Sequence, residues 1–134
     1  MKILNTCLCL VLLSACNNAP PTAAKEIQIE RTKDLVISLM SEKGELAMGK
    51  NQFLVAFRSA PSNEPVDVGS VTVSSAMAMP GMAPMTAPIE LQPAGAKGQY
   101  TAKGDFAMSG AWKFEVRWDG PAGKGSASFN TNVR

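Results

Sequence analysis

Trp112-Lys113-Phe114-Glu115-Val116-Arg117-Trp118-Asp119 is the stretch that decides the fold. Large apolar side chains alternate strictly with charged ones. A β-strand points successive side chains to opposite faces, so these residues form one apolar face and one charged face of a half-buried strand. Downstream, Asp119-Gly120-Pro121 through Gly125 reads as a turn. Ala127, Phe129, Thr131 and Val133 then alternate on a returning strand, which makes a hairpin.

The same period recurs upstream. Leu35, Ile37 and Leu39 alternate before a Lys43-Gly44 turn, and Phe53, Val55 and Phe57 alternate after it. A Ser/Pro/Asn loop from Ser59 to Pro65 precedes Val66–Ser75, where Val71 and Val73 share a face. Short segments at Ile89–Leu91, Tyr100–Ala102 and Phe106–Met108 bring the expectation to about seven antiparallel strands. Many short strands with frequent turns predict an all-β, immunoglobulin-like β-sandwich. The Cys…Trp…Cys spacing of true immunoglobulin domains is missing, so the architecture alone is implied. One stretch competes for helix, residues 25–41, where Glu26, Glu30, Arg31 and Lys33 suit a helical turn.

The amino terminus carries a different signal. Lys2 is followed by a mostly apolar run, Ile3–Leu13, far shorter than the ~20 residues a bilayer requires. A short charged region, a short apolar run and small residues before a cut describe an export signal. Leu13-Ser14-Ala15-Cys16 resembles the bacterial lipobox, in which the cysteine receives diacylglycerol and becomes the new first residue. The expected organisation is a signal peptide at 1–15, a lipidated Cys16 with a flexible tether at 16–32, and one β-sandwich domain at 33–134. More than one acyl chain gives durable anchoring. The residue after Cys16 is Asn17, not the aspartate that holds lipoproteins at the inner membrane in some bacteria. This favours the outer membrane where there are two, with the domain facing the periplasm or cell exterior.

Cleavage also disposes of the thiols. Cys7 and Cys9 fall in the signal and Cys16 is consumed by lipid, so none of the three cysteines is left for a disulfide or a nucleophile. Catalysis is hard to build from what remains. The chain has no histidine, which removes the commonest general base and metal ligand. It has neither a Gly-x-Ser-x-Gly nor a phosphate-loop pattern, and Gly123-Lys124-Gly125 is a turn. The formal charge of +2 with interspersed signs gives no support for nucleic-acid binding. A non-enzymatic protein is expected, and nothing fixes its oligomeric state.

One segment departs from this background. Ser75-Ala76-Met77-Ala78-Met79-Pro80-Gly81-Met82-Ala83-Pro84-Met85 holds four methionines in a short span rich in chain-bending residues. Thioether sulfur is a soft, neutral donor that suits Cu(I) or its analogue Ag(I) over zinc and hard cations. Two readings stand side by side. Met77 and Met79 share strand parity with Val71 and Val73 and so continue a core-facing row, or the methionines converge on a metal. Met82 and Met85 lie beyond Pro80, where a strand ends or becomes an edge. Met40 and Met48 read as ordinary packing residues near turns.

Met79-Pro80-Gly81-Met82, Gly98-Gln99-Tyr100-Thr101-Ala102 and Phe106-Ala107-Met108-Ser109-Gly110-Ala111-Trp112 together resemble the YtkA-like domain, a FixH-related family of small exported or membrane-anchored β-sandwiches. Gly49-Lys50-Asn51-Gln52-Phe53 and Glu64-Pro65-Val66 match further positions, so the resemblance covers about residues 33–133. Members often accompany heavy-metal efflux and copper-handling systems. The resemblance therefore implies copper or silver binding, with an efflux or copper-assembly protein as partner. It points to Met79, Met82 and Met108 as ligands and adds them to Met77 and Met85 from the methionine-rich segment. The histidine present near those methionines in some relatives is absent here, which leaves a thioether, Cu(I)-type site. Trp112 either shields such an ion or simply begins the apolar face of its strand. The alternative function is a non-metal interaction module that uses the methionine-rich loop as an adaptable apolar surface.

Overall fold

A computed structural model describes residues 24–134, and the signal, lipobox and Cys16 lie outside them. Nine strands occur among the described residues: β1 (Lys25–Arg31), β2 (Leu35–Ser41), β3 (Gly49–Ser59), β4 (Ser70–Met77), β5 (Met85–Ala87), β6 (Ile89–Pro93), β7 (Gln99–Phe106), β8 (Gly110–Gly120) and β9 (Gly123–Val133). They form two antiparallel sheets, one ordered β1-β2-β3-β7-β6 and the other β5-β4-β8-β9. The expected all-β sandwich is therefore the fold.

The deciding stretch does what its alternation demands. Trp112, Phe114, Val116 and Trp118 are buried, and their charged neighbours point outward. Registers align these rows across the sheet. Ser75 lies opposite Phe114, which lies opposite Phe129, and Val73 opposite Val116 opposite Ala127. Ile37, Leu39, Phe53, Val55, Phe57 and Phe106 come from the facing sheet to fill the space between. The rings meet edge to face, Phe53 with Phe114 at 5.9 Å and Phe106 with Phe114 at 5.7 Å. Such aromatic pairs add about 0.5–1.5 kcal/mol each beyond their buried area.

Several expectations need correction. Residues 25–41 are not helical but form the β1–β2 hairpin, so β1 falls within the stretch expected to be a flexible tether. Of its two apolar residues, Ile27 and Ile29, Ile27 packs against the core, and β1 is an edge strand. Tyr100–Ala102 and Phe106–Met108 are not two segments. β7 runs unbroken through Gly104, where a Cβ would stand 2.6 Å from Ile89 Cδ1. A glycine there serves packing, and Met108 lies beyond the strand. The missed β5 raises the count further. β5 and β6 are separated only by Pro88, where the chain switches from one sheet to the other.

The connections sort themselves by end. The β1–β2, β3–β4, β6–β7 and β8–β9 connections lie at one end of the sandwich. The β2–β3, β4–β5 and β7–β8 connections lie at the other, together with the close of β9. That second end carries the methionines.

Candidate metal-binding end

Six of the eight methionines gather at this end: Met48, Met77, Met79, Met82, Met85 and Met108. The β4–β5 hairpin supplies four of them as two nested pairs. Met77 and Met85 face each other across the last rung of the ladder. Antiparallel partners of this kind have Cα atoms about 4.5–5.5 Å apart. Beyond that rung, Met79-Pro80-Gly81-Met82 forms a turn closed by Met82 N–H donating to Met79 O at 3.1 Å. Pro80 presets the first central position, and Gly81, with φ of 72°, supplies the left-handed second one of a type II turn. Such a turn brings its outer Cα atoms within about 7 Å.

The β7–β8 connection approaches from beside β4. Gly110 has φ of 136°, a conformation reserved for glycine, and a Cβ there would sit 2.9 Å from Met77 Cε and 3.4 Å from Met77 Sδ. The thioether of Met77 thus lies against the Gly110 backbone. Two residues earlier, the carbonyl oxygen of Met108 accepts a 3.1 Å hydrogen bond from Trp112 Nε1. Trp112 itself is buried and packs edge to face on Phe106 at 5.2 Å. Of the two readings of Trp112, the structure supports the core role. Its indole N–H adds a second task, fixing the backbone that carries Met108.

Exposure divides the candidates. Met77 and Met85 are half-buried and pack against the core, so Met77 does continue the row of Val73. Met79 lies past the end of β4 and leaves that row. Met82 and Met108 project into solvent, 69% and 40% exposed. Beyond Pro80, Met82 sits on the turn and Met85 opens β5, an edge strand. Met48 was expected to be a packing residue and is instead 61% exposed at this same end. No sequence signal marks that, since it depends on where the β2–β3 connection crosses the sandwich. Met40, by contrast, is half-buried in β2.

Among the described residues no three His, Cys, Asp or Glu side chains gather to hold a metal ion. Glu45 of the β2–β3 connection is paired with Arg134, and what the methionines offer a metal is thioether sulfur. That donor set fits a soft monovalent ion and fits zinc or calcium poorly. Among the described residues the one titratable group with a resolved shift, Tyr100, lies away from the methionines. Burial, and then the charge of Asp67, raise its hydroxyl above the ordinary value of 10.0.

The YtkA-like family profile matches residues 29–117, from within β1 nearly to the end of β8. The chain belongs to the YtkA-like family. No curated protein sequence matches this YtkA-like chain. Solved structures resemble it in fold. A DUF4426 family protein from Pseudomonas aeruginosa aligns with a TM-score of 0.55 at 17% identity, over 79% of this chain and 96% of the other. A copper-bound variant of FetP from uropathogenic Escherichia coli aligns with a TM-score of 0.55 at 8% identity, over 83% and 97% of the two chains. PcoC, a methionine-rich copper resistance protein from Escherichia coli, aligns with a TM-score of 0.49 at 13% identity, over 67% and 88%. At such identities the likeness is one of fold.

Proposed function

We propose that this YtkA-like protein is an envelope lipoprotein that takes up Cu(I), or Ag(I), at its methionine end and buffers it for, or delivers it to, an efflux or assembly system. One observation carries the reading: Met77, Met79, Met82 and Met85 of the β4–β5 hairpin and Met108 of the β7–β8 connection lie at the same end of the fold, with the Met77 thioether against Gly110 of that second connection. Neutral sulfur donors around a monovalent cation avoid assembling a net negative site. They also carry no proton to compete with the metal. Exposure of Met82 and Met108 suits transfer, because an incoming partner can replace ligands without unfolding the core. The copper-bound FetP variant shares the fold, which is compatible with copper binding on such a sandwich. The role is that of a carrier, not a catalyst.

The tether bears on delivery. β1 starts on the methionine side of the β1–β2 hairpin and runs away from it. If Cys16 is lipidated, the nine residues from it to Lys25 span at most about 30 Å. That length would hold the methionine end near the membrane, within reach of a membrane-embedded transporter. A second reading is favoured by the same exposed side chains. Met48, Met82 and Met108 also form an adaptable apolar surface of the kind used for binding other proteins. Isolating the protein from copper-fed cells and measuring its metal content separates the two. Copper in stoichiometric amount without zinc is the expected result, and metal-free protein would favour the interaction module.

A further inference from the structure

We infer that Met48 is a further thioether ligand of the methionine end, presented by a turn that Asn51 braces for the purpose. The inference rests on the copper-binding reading and extends it to the first sheet. Among the described residues, the large hydrophobic side chains left exposed are Met48, Met82 and Met108. All three are methionines, and each sits on a different connection of the same end. Exposed apolar side chains chosen only for packing would include leucine, isoleucine or phenylalanine and would scatter over the surface. Selection for sulfur explains both the residue type and the place.

The backbone around Met48 is built to hold it. Asn51 Oδ1 accepts from Ala47 N–H at 3.0 Å, and Asn51 Nδ2 donates to Ala47 O at 2.6 Å and to Gly49 O at 2.8 Å. Met48 N–H donates to Arg134 O at 2.6 Å, which ties the turn to the close of β9. Leu46, buried just before, bridges Val133 and anchors the approach. Gly49, with φ of 93°, then turns the chain into β3. One side-chain amide thus fixes the residues on both sides of Met48, while Met48 itself points to solvent. A turn that only needed to connect β2 to β3 would gain more by burying that side chain.

The placement is also suitable. Gly49 lies directly opposite Phe106, and the chain beyond Phe106 leads to Met108. Met48 and Met108 therefore leave the ends of neighbouring strands, and Gly110 brings Met77 alongside. With Met48 included, the donors come from all three connections of this end.

The test uses the full chain and Ag(I) as probe. Dilute peroxide oxidises exposed methionines, and peptide mass spectrometry reads each one separately with and without Ag(I). Protection of Met48 together with Met82 or Met108 supports the inference. Protection of Met82 or Met108 while Met48 oxidises at its metal-free rate overturns it and leaves the copper reading standing. Protection confined to Met77, Met79 or Met85 overturns the inference alone, and protection of no methionine at this end overturns both. In parallel, Met48→Leu should weaken Ag(I) binding by about tenfold or more, since even outer-shell partners of metal ligands cost 10–100-fold. Met40→Leu, in β2, should leave the isotherm unchanged. A wild-type isotherm from Met48→Leu would overturn the inference.

Discussion

The indole Nε1 of buried Trp112 donates a 3.1 Å hydrogen bond to the carbonyl oxygen of exposed Met108. It ties the centre of the core to a candidate ligand through a single donor. Trp112→Phe keeps an aromatic ring against Phe106 but loses this bond and leaves a void. A stability loss of about 1–3 kcal/mol is expected from denaturant melts. At a temperature where the variant is folded, its Ag(I) affinity should also drop, because the Met108 backbone is released. Unchanged affinity in a destabilised variant would reduce Trp112 to a packing residue.

Phe114 and Glu115 are adjacent in β8 and face opposite ways. Phe114→Ala should cost about 3–5 kcal/mol, the loss typical of a buried ring. Glu115→Ala removes an exposed ion pair with Arg117 at 2.8 Å and should cost less than about 1 kcal/mol. Comparable losses in urea melts would mean the face assignment is inverted.

The hydroxyl of Tyr100 donates to Gly69 O at 2.8 Å, and its pKa is raised first by burial and then by Asp67. The folded state therefore holds the proton more tightly than the unfolded chain. Stability from this group is fully present below the unfolded value near pH 10 and is lost as pH rises through the folded one. Tyr100→Phe should cost about 0.5–1.5 kcal/mol at neutral pH. Thermal melts of that variant should decline less steeply above pH 10 than those of wild type.

Anchoring has its own check. Cys16→Ser should remain as uncleaved precursor without lipid, while wild type partitions with membranes. Mass spectrometry should find diacylglycerol on Cys16 as the first residue. An unlipidated amino terminus elsewhere would remove the tether from the account.

Legibility tracked burial. The Trp112–Trp118 row and the rows of β2 and β3 were plain because one face of each is buried and the other solvated. β1 was hidden, since Lys25-Glu26-Ile27-Gln28-Ile29-Glu30-Arg31 has only two apolar residues and a helix-compatible charge pattern. β5, three residues between Pro84 and Pro88, carries too little pattern to be seen. β7 reads as broken at Gly104 because the reason for that glycine is the Ile89 side chain packed over it from β6, beside the Phe106 ring of its own strand. At the methionine end, composition flagged Met77 to Met85, and family resemblance added Met108. Met48 stayed invisible. An isolated methionine beside a turn gives no hint that its connection crosses to β9 and ends in solvent.

The central claim is that this end binds a soft monovalent metal through methionine sulfur. Ag(I) titrated into wild type and into a Met82→Leu, Met108→Leu double variant, against a competing chelator, tests it directly. Both side chains are exposed, and such volume-conserving swaps cost less than about 1.5 kcal/mol, so the variant stays folded. Wild type should bind Ag(I) and reject Zn(II), with affinity little changed between about pH 7 and 5 because thioethers do not compete for protons. The double variant should bind Ag(I) markedly more weakly. No Ag(I) binding by wild type, or superimposable isotherms for the two proteins, would contradict the account.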